Sequence, residues 1–238
     1  MLGVSLSRLE SLDGKDPMSP EHTLVSLPML TAKSTQGFSL SGKLDNRAWE
    51  KASVAYLERG WDGKRHPALT TEVRFLWEPS HLYAGFRCPY RELNVDTKAP
   101  LENYRWELWD MDMVELHLSG ETAETTHYLE LQAAPTGHWM DLEVVFVHNK
   151  PFFDWRSRSG FQVKSDIRED ISVWTAEMKI PMRAVVDQCV VPGTIWSLNA
   201  YRTEGKGERR RYLALSPTYT AKPNFHIPTR FGRITFIE

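Results

Sequence analysis

The chain has 238 residues, with 29 Lys+Arg against 31 Asp+Glu and a formal net charge of −2. That near-neutral balance argues against a dedicated nucleic-acid binder, whose footprint is a basic excess. The composition, 41% hydrophobic and 25% charged, excludes disordered and fibrous classes, and no run approaches the ~18 consecutive apolar residues of a membrane-spanning helix. Two cysteines, Cys88 and Cys189, exclude a disulfide framework or a four-ligand Cys site. A bridge between them and two buried thiols both stay open. The surplus to explain is aromatic, nine Trp foremost.

Residues 1–22 are polar and mixed in charge, and the stretch with Asp13, Gly14, Asp16, Pro17 and Pro20 reads as a poorly structured lead. It lacks the basic start and apolar run of a secretory signal. From residue 23 the pattern is strands. Val25, Leu27 and Met29 alternate with Ser26 and Pro28, and Leu40 leads into a Ser41-Gly42 turn. Residues 45–52 predict a short helix capped by Asp45, with Ala48, Trp49 and Ala52 at helical spacing. Residues 72–77 and 82–87 form a hairpin about Pro79-Ser80. Residues 113–118 and 128–132 form a second pair. Further strands are expected at 141–147, 160–163, 173–180, 195–201, 211–215 and 233–237, and Pro181 opens a second short helix through Val186.

About ten short strands and two short helices predict an all-β fold: a single antiparallel β-sandwich, immunoglobulin- or jelly-roll-like, over 23–238. Alternation places Met113, Glu115 and His117 on one side of their strand, against Val114, Leu116 and Leu118. Tyr128, Glu130 and Gln132 likewise oppose Leu129 and Leu131. The apolar sets should face the core, and the polar sets should line an outer or concave surface. Trp49, Trp77, Trp174 and Trp196 read as packing. Trp109 lies in the loop-like segment 104–110, where exposed aromatics are binding candidates.

Seven phrases in order carry a resemblance. They are Ser41-Gly42-Lys43-Leu44-Asp45 with Trp49 and Ala52; Val73 to Trp77 with Leu82-Tyr83; Trp109 with Asp112-Met113-Val114-Glu115; and Tyr128-Leu129-Glu130-Leu131 running to Asp141. Trp174, Glu177, Ile180 and Pro181 follow, then Pro192-Gly193, Trp196, Asn199 and Arg202, and last Ser216-Pro217, His226, Pro228 and Phe231-Gly232. Together they resemble the family 9 carbohydrate-binding module superfamily, a β-sandwich related to DOMON domains, across about residues 40–236. The resemblance implies a noncatalytic domain, serving carbohydrate catabolism, that holds a sugar between two aromatic rings. Trp109 matches the first ring and Phe225 the second, where the sugar binders carry Trp. Glu115 matches a sugar-contacting carboxylate. Glu130 stands where sugar binders have Arg, and Arg202 supplies a guanidinium from another strand, either as a ligand contact or as a structural partner for Glu115 or Glu130.

Two other readings are carried beside it. Glu115 and Glu130 share a face and are the one pair suited to a glycoside hydrolase, whose carboxyls stand ~5–9.5 Å apart. A haem- or redox-partner domain of DOMON type would need axial Met or His, for which Met111, Met113 and His117 are present. No cofactor is expected, beyond an unplaced structural Ca²⁺ to which Asp110, Asp112, Glu115 and Asp141 would offer oxygens. His117, His127 and His138 have no zinc spacing and read as surface histidines. The basic cluster 206–211 reads as a hairpin tip in water. The expected partner is a carbohydrate, with a glycosidase or surface complex alongside, and the compartment stays open.

Overall fold

The computed structural model describes residues 26–98, 103–156 and 159–238. The expected lead, 1–22, lies outside them. Among the described residues fourteen strands join one sheet. In chain order they are β1 (Met29–Ser34), β2 (Val54–Leu57), β3 (Arg59–Gly60), β4 (Thr71–Glu78), β5 (His81–Pro89), β6 (Met113–Ser119) and β7 (His127–Ala133). There follow β8 (Trp139–Val147), β9 (Lys150–Asp154), β10 (Gln162–Arg168), β11 (Val173–Pro181), β12 (Ile195–Glu204), β13 (Arg211–Ala214) and β14 (Gly232–Ile237). The main path runs β10-β11-β5-β4-β1-β14-β12-β6-β7-β8-β9.

The all-β expectation holds, and the antiparallel one needs correction. Strand β1 sits mid-sheet and pairs in parallel with both β14 and β4. Parallel neighbours need no tight turn between them, so no local sequence signal marks this pairing. Joined through β1, the two halves of the sheet share one core. Phe75, Ala84, Phe86, Trp174 and Met178 of one half belong to the same apolar cluster as Leu116, Leu118, Leu131, Leu198 and Phe236 of the other.

The two expected helices are single 3-10 turns, Arg47–Lys51 and Met182–Ala184. Runs this short cannot repay the nucleation of an α-helix. Asn46, not Asp45, caps the first: its side chain accepts from the Ala48 N–H at 2.9 Å. Asp45 is instead held by the Ser41 hydroxyl at 2.7 Å. This turn seats Trp49 against Gly85 of β5, where an added Cβ would lie 2.6 Å from Leu44 and 3.0 Å from the indole.

Strand β9 was not expected, because Pro151 sits inside it. Proline is tolerated there because β9 ends the main path and has one neighbour. His148 and Asn149, both at positive φ, make the two-residue turn from β8. Trp49, Trp77, Trp174 and Trp196 are buried, as their positions predict. The cysteines follow neither reading fully. Both are free thiols, Cys88 buried and Cys189 exposed. Among the described residues no helix is long and apolar enough to cross a membrane.

Candidate functional site

The site is built on the outward face of three neighbouring strands. Strands β12, β6 and β7 are antiparallel, and their register sets Tyr201 beside Glu115, His117 beside Glu130, and Glu115 beside Gln132. Strict alternation then sends Val114, Leu116, Leu118, Leu129 and Leu131 into the shared core. Glu115, His117, Glu130 and Gln132 go to the opposite face. That face is not solvated. All four side chains are buried, because β9 and the closing chain segment before β14 cover them. The reading of His117 as a surface histidine is therefore corrected, and His138 is buried too, while His127 is exposed.

The cover is made of rings. Phe225 stacks on Tyr201 at 4.0 Å with an interplanar angle of 11°, and the Tyr201 hydroxyl donates to the Phe225 carbonyl at 2.8 Å. His226 lies parallel to His117 at 5.4 Å, and its Nδ1 is 2.8 Å from the Tyr128 hydroxyl. Phe153 of β9 meets His226 edge-on at 4.9 Å and stacks with Trp155 at 5.3 Å. Trp155 in turn packs with Trp106 and Trp109, at 4.7 and 5.7 Å.

Between these parts lies a cavity of about 350 Å³. Trp109, Phe225, Phe153 and Trp155 form aromatic parts of its wall, and Glu115, Glu130 and Gln132 are among its polar lining. Four of the five residues singled out from the sequence (Trp109, Glu115, Glu130 and Phe225) thus line one cavity. Arg202 does not. It follows Tyr201 and precedes Thr203, so its side chain takes the opposite face and is fully buried there. It donates to the Thr71 hydroxyl at 2.7 Å and to the Pro89 and Leu69 carbonyls at 2.6 and 3.3 Å. It pairs with neither Glu115 nor Glu130 and ties β12 to β4 and β5.

The guanidinium at the cavity is Arg210, from the cluster read as a solvated hairpin tip. It donates to the Asp110 carbonyl at 2.7 Å, to the Met111 carbonyl at 3.3 Å and to the Trp109 carbonyl. Three carbonyls of one turn are thereby held by one side chain, which fixes the Trp109 loop. No sequence signal marked Arg210. Gln132 already stood on the polar face by alternation, whereas Thr203 was missed because the residue singled out on its strand, Arg202, has the opposite parity.

The electrostatics are crowded. His117 Nε2 lies 2.6 Å from Glu115 Oε1 and 3.5 Å from Glu130 Oε2. Gln132 donates to both carboxylates, at 3.1 Å to Glu115 and 2.7 Å to Glu130. Burial and the neighbouring Glu130 charge push Glu115 up to about 7. Burial opposes a charged His117, but the two carboxylates prevail and raise it to about 9. Glu130 is held below the ordinary carboxylate value: burial opposes this, and the His117 and His226 charges with the Gln132 hydrogen bond outweigh it. Burial takes His226 down to about 4. Among the described residues Glu130 Oε2 and Gln132 Oε1 are buried acceptors without a hydrogen-bond partner.

Residues 40–238 match the family described as carbohydrate family 9 binding domain-like. The chain belongs to that family. Its members are carbohydrate-binding modules and not catalysts, so the chain is a noncatalytic carbohydrate-binding domain and the hydrolase reading of Glu115 and Glu130 falls away. No curated protein matches the chain. Solved structures share the fold. A Bacteroides uniformis protein proposed to bind carbohydrate is 18% identical, with a TM-score of 0.69 over 89% of this chain and 100% of that one. A family 9 module from Caldicellulosiruptor kristjanssonii in complex with cellotriose is 14% identical, with a TM-score of 0.62 over 88% and 94%. The same organism's module with glucose gives 14% and 0.62 over 88% and 95%.

The four acids expected to offer oxygens to Ca²⁺ do not gather. Among the described residues, one group of three potential metal ligands lies within mutual reach: His117, Glu130 and His226. Asp112 accepts instead from the Asn94 and Gly205 N–H groups, at 3.2 and 2.7 Å. Asp141 accepts from the Ser159 N–H at 2.5 Å.

Proposed function

We propose that the cavity on the β6–β7–β12 face binds a neutral saccharide, with Trp109 and Phe225 against its apolar C–H faces. Glu115 and Glu130 accept from its hydroxyls, and Gln132 joins them. The supporting observation is one cavity that combines aromatic walls with a buried acidic floor, where Glu130 Oε2 and Gln132 Oε1 lack partners. Buried acceptors left unpaired are costly, and a polyol supplies the missing donors. Its size falls in the range of small-molecule sites, about 300–1,000 Å³. Glucose and cellotriose, bound by the modules of similar fold, are the first ligands to test.

The floor carries two carboxylates, so an acidic sugar would add like charge and is disfavoured. Arg202 is no ligand contact in this reading; Arg210 positions Trp109. We also read the two halves of the sheet as the layers of a sandwich, supported by the core they share.

Isothermal titration with neutral mono- and oligosaccharides, glucose and cellotriose included, tests the proposal. A binding isotherm that weakens at least tenfold in Trp109→Ala supports it, a loss of about 1.4 kcal/mol. No heat with any sugar, or an isotherm unchanged in both Trp109→Ala and Phe225→Ala, sinks it.

A further inference from the structure

The cavity floor holds a group of potential metal ligands of which the saccharide reading uses only Glu130. We propose that His117, Glu130 and His226 form a binding site for a divalent transition-metal ion that opens into the cavity. The donors already lie close to the required spacing. Glu130 Oε2 is 3.5 Å from His117 Nε2 and 3.9 Å from His226 Nδ1, and one ligand atom from each of the three residues lies within 4.8 Å of the other two. Bonds of about 2.0–2.1 Å in tetrahedral geometry place two ligands of one zinc about 3.3 Å apart. Closing the widest separation, 4.8 Å, to that spacing takes about 1.5 Å of side-chain movement in total. The two imidazoles are nearly parallel, at 16°.

A second observation concerns the same atoms. Among the described residues Glu130 Oε2 is buried without a hydrogen-bond partner, and His117 Nε2, its neighbour at 3.5 Å, is occupied by Glu115 Oε1 at 2.6 Å. Buried polar atoms are almost always paired, so a buried carboxylate oxygen left over between two imidazoles points to a cation. The surroundings suit a cation. Gln132 grips the other oxygen of Glu130 at 2.7 Å, as a supporting residue orients a ligating carboxylate. Glu115 stands 2.6 Å from His117 Nε2 and is a second carboxylate beside the three ligands. The Tyr128 hydroxyl, 2.8 Å from His226 Nδ1, is next in line as a donor. Two imidazoles and one carboxylate favour Zn²⁺, Co²⁺, Ni²⁺ or Cu²⁺ over Ca²⁺ and Mg²⁺, which prefer oxygen alone. Glu130 and His226 line the cavity, so a further coordination position faces it.

This site is readable without any sugar. The chelator-treated chain is titrated with ZnCl₂ and CoCl₂, heat and the visible absorption of bound Co²⁺ being followed. One equivalent should bind with Kd ~1 μM or below, and Co²⁺ should show the intense bands of a low-coordinate site. His226→Ala and Glu130→Gln should each weaken binding at least tenfold, with His127→Ala, an exposed histidine, as the unaffected control. Urea midpoints confirm that the variants are folded. No stoichiometric Zn²⁺ or Co²⁺ binding overturns the proposal. So does binding that survives in both variants, or CaCl₂ binding as tightly as ZnCl₂. Sugar heats on the same metal-free sample report separately on the saccharide reading.

Discussion

Glu177 and Glu130 are the same residue type, each buried in the same sheet, β11 for one and β7 for the other, and they are served very differently. Glu177 accepts from the Ser41 and Gly42 N–H groups at 2.6 and 2.7 Å and from the Trp49 indole at 2.8 Å. Every one of those donors is fixed by the fold. Gly42 has φ +83° and a Cβ there would lie 2.9 Å from the Ser165 backbone, so the turn that presents its N–H requires glycine. Thr175 holds the same turn by donating to the Gly42 carbonyl at 2.5 Å. Among the described residues Glu130 has one hydrogen bond, from Gln132, and its second oxygen meets only the imidazoles of His117 and His226, at 3.5 and 3.9 Å. A buried carboxylate answered by rigid backbone donors is part of the frame. One answered by neighbours that are themselves charged, with an oxygen left over at a cavity, is poised for something the chain does not supply. Burial alone does not separate the two; the donors do.

The contrast can be broken by mutation. Glu177→Ala should cost the most, about 3–5 kcal/mol, because it strands three donors at once. Urea unfolding measures it, and a loss below about 1 kcal/mol would show that the Ser41–Trp49 turn does not depend on this carboxylate. Asp112 lies between the extremes. It accepts from two backbone N–H groups, yet burial pushes it up to about 6. A raised folded-state pKa means that the contribution to stability is fully present below about pH 4 and is lost as the pH rises through 6, by at most about 3 kcal/mol. Unfolding at a series of pH values should show that slope in the native chain and a flatter one in Asp112→Asn.

Arg210→Ala should have a smaller effect on stability, about 1–2 kcal/mol, since Arg210 is partly exposed and its three carbonyl partners are opened to water. It should nevertheless weaken saccharide binding, because the Trp109 turn loses its clamp. Equal affinity in native and variant would show that the turn holds itself. The smallest change in stability is expected for Glu130→Gln, within about 1 kcal/mol of the native chain, since the lost attraction to His117 is offset by relieved repulsion with Glu115 and an amide can keep the contact to Gln132. Its effect belongs to binding. If Glu130→Gln destabilised the fold as much as Glu177→Gln, the division between frame and site would fail.

Much of the frame was readable from order along the chain. The hairpin of β4 and β5, the pair of β6 and β7 and the long β12 all declare themselves through alternation. So did the division of β6 and β7 into apolar and polar faces, which followed from parity alone. Four cavity residues followed from the same faces and from the family phrases. Arg202 was misplaced for an instructive reason. The motif gave the residue but not its parity relative to the floor, and one position along a strand reverses the direction of the side chain. Arg210 and Trp155 were missed because each reaches the cavity from a neighbouring loop or turn, where no periodicity relates it to the strands. His117 was read as exposed because its strand gives no account of what covers the polar face.

By itself the sequence determined the fold class, the family, the packing tryptophans and the side of each strand on which a polar residue falls. Those properties are local, or are repeated in a pattern along the chain. Only the tertiary structure decided that β1 enters in parallel between the two halves of the sheet and that the polar face is roofed by Phe225, His226 and Phe153. It also decided that the carboxylates beneath that roof are short of partners, while Glu177 is not. Each of these depends on groups far apart in the chain meeting at a distance of a few ångströms, and spacing along one strand carries no record of what lies across from it.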